Sequence, residues 1–299
     1  MAQSLRRPLH YVFKIGKRTE TIKFYRDVLG MKILRHEEFD QGCEATCNGP
    51  YDGKWSKTMI GYGSEDDQFV VELTYNYGIG SYEHGNDFLG LTIHSTTIVE
   101  KAKQLGYPVS QEDDLSVLVC PDGYKFKIVN KSDEGSKSGP IKAYSLASSN
   151  LEKSLDFWTR LAGMTLFKQE GKKALLGFSE EQCQLELVDV GTQINHATAY
   201  GRIAFGFPRE KVPEMEKLMK SENQTILTPL VSLPTPGKAT VTVVIVADPD
   251  KHEICFATDE DFRQLSELDP NATELLDKAI EADKSDEWFA KKGKTKESA

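Results

Sequence analysis

A chain of 299 residues can hold two domains with buried cores, and 39% hydrophobic with 28% charged residues is a globular rather than a disordered composition. The 46 acidic and 37 basic residues leave a formal charge of −9, which argues against general nucleic-acid binding. No stretch approaches the roughly 18–20 consecutive apolar residues of a membrane span and no apolar leader marks secretion, so an intracellular setting is expected.

Residues 9–15 read as an apolar strand carrying His10. The flanking Arg6, Arg7, Lys14, Lys17 and Arg18 give a basic N-terminus without acids, as in mitochondrial presequences, but cleavage there would remove the strand. Helical spacing follows over 19–29, stopped by Gly30. The glycines and proline between 37 and 54 predict a long loop, whose part from 48 to 55 could cover a cavity. Strands are expected at 55–62 and 68–75. The second of these places Glu72 on one face of an apolar strand, where a buried carboxylate requires a metal or cationic partner.

A second unit opens at 88–93, continues with a helix near 99–105, and closes with a Pro-Asp turn into 120–128. Residues 131–140 are rich in Lys, Ser, Asp, Glu and Gly and read as a linker. The third unit repeats the first, with a strand at 141–147, a helix at 151–161, Gly163 answering Gly30, and strands at 174–178 and 184–188. The fourth answers the second, with 200–205, a helix near 212–220 and a Pro-Asp turn into 248–256. Two domains are expected, 1–135 and 138–258, followed over 259–299 by a helical acidic extension and a small, solvated basic tail. The five cysteines, Cys43, Cys47, Cys120, Cys183 and Cys255, form no Cys-x-x-Cys pairs and read as reduced thiols. His36, His84, His94, His196 and His252 lack metalloprotease spacing and read as surface or locally hydrogen-bonded residues, with His94 on the strand face of Gly90.

Phe24-Tyr25-Arg26-Asp27-Val28-Leu29-Gly30-Met31 and Val71-Glu72-Leu73-Thr74-Tyr75-Asn76-Tyr77-Gly78 resemble segments of lactoylglutathione lyases, and the whole chain resembles the vicinal oxygen chelate superfamily. The resemblance implies an α+β fold of fused, paired βαβββ modules of the glyoxalase, bleomycin-resistance and dioxygenase type. It also implies zinc or nickel held by a histidine or glutamine from each opening strand and a glutamate from each closing strand. The implied substrate is the glutathione–methylglyoxal adduct and the implied compartment the mitochondrion, with the cytosol as alternative.

Matched to that pattern, the four units carry His10 and Glu72, Gly90 and Lys127, Ala143 and Glu186, and Arg202 and Cys255. Only the first retains its pair. If units one and four face each other, Glu72 would be metal ligand or catalytic base and Cys255 either a thiolate ligand or a buried structural thiol. Arg202, which has no lone pair for a metal, would instead neutralise Glu72 in a metal-free cavity. Units two and three would oppose Lys127 to Glu186, either beside a ligand or as a fixed sheet contact. The resemblance further assigns Lys14 and Asn76 to glutathione binding, although Asn76 is also a natural turn residue. Two functions follow as expectations: a glyoxalase-like lyase with a degenerate site, or a noncatalytic module that binds a small molecule or a protein partner.

Overall fold

The computed structural model of the chain describes residues 6–40, 49–234 and 239–299. Cys43 and Cys47, with residues 41–48 of the expected loop, lie outside the described residues.

The first unit comprises β1 (Arg7–Ile15), α1 (Arg18–Lys23), β2 (Lys32–Phe39), β3 (Trp55–Gly61) and β4 (Val70–Asn76), followed by the short β5 (Ile79–Ser81). The second comprises β6 (Phe88–His94), α2 (Ile98–Gln104), β7 (Ser110–Glu112), β8 (Leu115–Val119) and β9 (Lys125–Val129). In the third, β10 (Ile141–Ser148) and α3 (Leu151–Asp156) precede β11 (Thr165–Glu170), β12 (Lys173–Gly177) and β13 (Gln184–Asp189). The fourth has β14 (Arg202–Phe207), α4 (Lys211–Ser221), β15 (Thr225–Pro234), β16 (Thr240–Ala247) and β17 (Glu253–Thr258). The extension adds α5 (Asp259–Leu265), α6 (Ala272–Ala282), α7 (Ser285–Lys291) and β18 (Glu297–Ser298). Strands β5, β7, β8, β11, β15, β16 and β18 are additions to the elements expected from sequence pattern, and β2 extends into the segment expected to be loop.

Helices α1 and α3 both continue into a π turn, Phe24–Val28 and Phe157–Leu161, and both stop at a glycine with positive φ, Gly30 at 73° and Gly163 at 77°. Asn150 caps α3 by accepting the Lys153 amide at 3.0 Å. Asn150→Ala should therefore lower unfolding free energy by about 1 kcal/mol, read as a reduced urea midpoint with an unchanged slope; an unchanged midpoint would show that the cap contributes nothing.

Two eight-stranded sheets cross the boundary between the chain halves. One joins units one and four in the order β15-β16-β17-β14-β1-β4-β3-β2, and the other joins units three and two as β11-β12-β13-β10-β6-β9-β8-β7. At their centres β1 runs antiparallel to β14, and β10 antiparallel to β6. One face of each sheet packs into a shared core containing Phe13, Tyr144, Trp158 and Phe205. The helices of the four units cover this core with Phe24, Ile98, Phe157 and Met215 among others. Period-two alternation turns the opening and closing positions to the opposite faces, which on the first sheet also carry apolar residues such as Leu9, Val241 and Val243.

Strand register equates the units independently of composition. Glu72 pairs with Val12, Lys127 with Thr92, Glu186 with Ser145 and Cys255 with Ala204. His10, Gly90, Ala143 and Arg202 each stand two residues before those partners, so the four opening and closing positions are geometrically equivalent.

Candidate functional site

On the outer face of the first sheet, His10 Nε2 lies 3.5 Å from Glu72 Oε2. His10 is buried, its Nδ1 has no hydrogen-bond partner, and its ring lies 5.8 Å from that of Phe262. Burial pushes its pKa down to about 4 against the attraction of Glu72, with Arg35, Lys57 and Arg7 lowering it further. The imidazole is neutral at pH 7.

Arg202 does not offset Glu72. Its Nε and Nη2 donate to Glu253 Oε2 at 2.9 and 2.6 Å, because Glu253 is its direct neighbour across the parallel β14–β17 ladder. Cys255 is partly buried, and desolvation pushes its thiol up to about 12, so it is protonated at neutral pH. The zinc or nickel shell that the resemblance implies would need four protein ligands with lone pairs. The four equivalent opening and closing positions of this sheet supply one neutral imidazole, one carboxylate, a guanidinium and a protonated thiol, and three further cations act on His10. The residues present do not fit that metal shell.

The extension occupies the same face. Phe262 and Leu265 of α5 pack with Leu9, Ala204, Val241, Val243 and Ala257, and Cys255 lies against them. A side chain on Gly206 would meet Asp259 Oδ1 at 2.5 Å, so the glycine permits α5 to approach the sheet this closely. Arg7 Nε donates to Asp259 at 2.7 Å, tying α5 to β1. Arg35 forms a buried two-bond pair with Glu65 at 3.0 and 2.8 Å nearby.

Lys14 and Asn76, assigned to glutathione by the resemblance, are occupied within the chain. Lys14 Nζ donates to the Thr198 carbonyl at 3.1 Å and sits 3.2 Å from the centre of the Tyr200 ring, and burial pushes its ammonium pKa down. Asn76 Nδ2 donates to the Tyr82 hydroxyl at 2.6 Å.

The second sheet presents a different arrangement. Lys127 Nζ stands 3.3 Å from Glu186 Oε2 and donates to Ser145 Oγ at 3.1 Å, while Ser145 donates to the same carboxylate oxygen at 2.5 Å. Ser145 was not singled out from the sequence, although alternation from Ala143 puts it on this face. Gly90 holds φ at +127°, a conformation that side chains resist, so a backbone requirement accounts for glycine at this equivalent position.

Glu186 lines a cleft of 960 Å³ with Thr92, His94, Ala143 and Gln184. The segment expected to be a mere linker forms one wall, where Asp133 and Ser136 take the Lys142 ammonium at 2.6 and 2.7 Å. The tail also departs from expectation. Lys296 is enclosed, donating to the Tyr75 hydroxyl at 2.7 Å, and β18 pairs with β5.

A third group was invisible to motif spacing because its members are remote in sequence. The ligand-type atoms of Asp87, His196 and His252 lie within 4.8 Å of one another, a grouping able to hold a metal ion. His252 is buried, and both histidines bond locally: His196 Nε2 to the Asp250 carbonyl at 2.8 Å and His252 Nε2 to that of Ala147 at 2.7 Å.

The family model described as Glyoxalase/Bleomycin resistance protein/Dioxygenase superfamily matches residues 7–113, and that for the glyoxalase domain-containing protein 4-like C-terminal domain matches 150–265. Together with the paired modules, these matches place the chain in the class of α+β proteins built from glyoxalase-type βαβββ modules. The chain belongs to the glyoxalase superfamily, in its glyoxalase domain-containing protein 4 group. Glyoxalase domain-containing protein 4 of Rattus norvegicus is 56% identical over 296 residues, covering 98% of this chain and 99% of that protein. Glyoxalase 1 of Caenorhabditis briggsae is 49% identical over 283 residues, covering 95% and 99%. The crystal structure of glyoxalase I from Zea mays aligns with a TM-score of 0.70 at 26% identity, over 87% of this chain and 95% of that one.

Proposed function

We propose that the protein is a noncatalytic small-molecule binding module built on a degenerate glyoxalase site. The observation that carries this reading is the contrast between its two outer faces. The first lacks the four lone-pair ligands that the implied metal shell would need and is packed by α5, whereas the second sets the Lys127–Ser145–Glu186 network at a 960 Å³ cleft. A cleft of this size suits a ligand of drug-like dimensions, and the Glu186 carboxylate suits an amine, amide or hydroxyl donor. The glutathione–methylglyoxal adduct carries such groups. A protein partner held by the extension is the weaker alternative, since Phe262, Leu276 and Phe289 are buried against the rest of this chain.

The test is calorimetric titration of the purified chain with glutathione and with its methylglyoxal adduct, alongside an assay of adduct turnover. Saturable binding without turnover, weakened by about 10- to 100-fold in Glu186→Gln, is the expected result. Equal affinity in that variant would remove the cleft from consideration. The retained His10–Glu72 pair favours a second reading, lactoylglutathione lyase chemistry with Glu72 taking the carbon-bound proton. Robust turnover abolished by Glu72→Gln would replace the first reading with the second.

A further inference from the structure

We propose that Asp87, His196 and His252 form a divalent transition-metal site, with zinc the best match to the donors, at the seam between the two sheets and separate from both outer faces.

Three segments converge there. Asp87 immediately precedes β6, His196 lies in the connection before β14, and His252 is in the turn before β17. Their ligand-type atoms fall within 4.8 Å of one another, and His196 Nδ1 is already 2.9 Å from Asp87 Oδ2. Zinc–nitrogen and zinc–oxygen bonds of about 2.0–2.2 Å require donors roughly 3–4 Å apart, so small side-chain rotations close the set.

The imidazoles are oriented for ligation. A carbonyl oxygen only accepts, so the bonds to Asp250 and Ala147 put the ring protons on Nε2 of His196 and His252. That leaves His252 Nδ1 as a lone-pair donor, whereas His196 Nδ1 carries the proton it gives to Asp87 and would release it on binding a metal; a backbone acceptor on the far nitrogen is the usual way a protein fixes a ligating histidine. Among the described residues, His252 Nδ1 makes no protein hydrogen bond that competes with a metal.

The surroundings also favour a cation. Asp87 and His252 are buried, His196 keeps 20% of its side-chain surface exposed, and the buried Asp248 carboxylate accepts the His252 amide at 2.9 Å. Two imidazoles and a carboxylate with a partly open side leave a coordination position for water. An ion there would join the start of β6 to the turns that precede β14 and β17, fastening the two sheets together.

The experiment uses the full chain stripped with a chelator and titrated with cobalt(II) and zinc(II), reading visible absorption, metal equivalents and thermal midpoint. Wild type should bind one equivalent, develop a cobalt ligand-field band and gain thermal stability as metal concentration exceeds Kd. Asp87→Asn, His196→Gln and His252→Gln should lower affinity at least 10-fold. The glutamines keep an N–H for the backbone carbonyls, and circular dichroism establishes that the variants fold. Glu72→Gln should bind cobalt as wild type does. Absence of binding by wild type would overturn the site and leave Asp87–His196 as a simple ion pair. Undiminished binding in folded His252→Gln, or loss of binding in Glu72→Gln, would overturn it equally.

Discussion

Arg18→Met should lower the unfolding free energy by about 3 kcal/mol, the cost of removing one partner from a buried ion-pair network. The Arg18 side chain is 3% exposed and donates to Glu38 at 3.0 Å, Tyr77 Oη at 3.2 Å, the Ala279 carbonyl at 3.0 Å and Asp283 at 3.0 Å. Its guanidinium also lies 4.4 and 4.8 Å from the centres of the Tyr75 and Tyr77 rings. Methionine retains much of the apolar stem but leaves two partly enclosed carboxylates without their cation. Because Ala279 and Asp283 belong to the end of α6 and the residue after it, the loss should be concentrated in the extension. Urea denaturation measures the total, and limited proteolysis should cut more rapidly beyond α5 than in wild type. A stability change below about 1 kcal/mol would show that solvent and the aromatic rings satisfy the site without the arginine.

The second large effect is acid destabilisation through His10. Its folded pKa is pushed down to about 4 by burial, from 6.5 in the unfolded chain. Below 6.5 the unfolded state takes up a proton that the folded state refuses until about 4, so the unfolded state binds more protons across this interval. The stability contribution is therefore present above 6.5 and lost as pH falls, by about 3 kcal/mol over the full window and about 2 kcal/mol by pH 5. His10→Gln should remove this slope, so that between pH 7 and 5 wild type loses about 2 kcal/mol more than the variant. Urea titrations at the two pH values measure it. If Glu72 instead held a protonated His10, the difference would change sign.

The modular plan was legible because each unit prints the same local physics. An apolar strand, a helix ending at a glycine, and later β-rich segments recur, and Gly30 and Gly163 indeed take positive φ after matching π turns. The equivalent opening and closing positions came from the family resemblance, and strand register then sets all four pairs in matching places. Their partners were not legible. Arg202 was matched to the correct position but pairs with Glu253, a neighbour set by strand pairing rather than by the repeat. Lys127 and Glu186 do meet, yet Ser145 between them emerges only when β10 is laid beside β13.

The path of α5 was hidden for another reason. Its short apolar stripe, Phe262 and Leu265, specifies that something must be covered without naming the surface. The linker likewise looks solvated residue by residue, and only the folded chain shows its wall against the cleft. His196 and His252 are separated by dozens of residues from each other and from Asp87, so no spacing rule could assemble them.

The crossing of the halves has a kinetic consequence. Strand β1 lies between β4 and β14, with Val12 opposite Arg202, so its second neighbour is supplied only after most of the chain has been synthesised. Closing so long a loop before its contacts are rewarded makes completion of the first sheet intrinsically slow. Strand β6 waits similarly for β10. On the ribosome, the first half therefore emerges with two bare strand edges at its centre, each a template for a strand from another nascent copy. The interval before β14 arrives is the stage at which exchange of halves between copies competes with folding of a single chain.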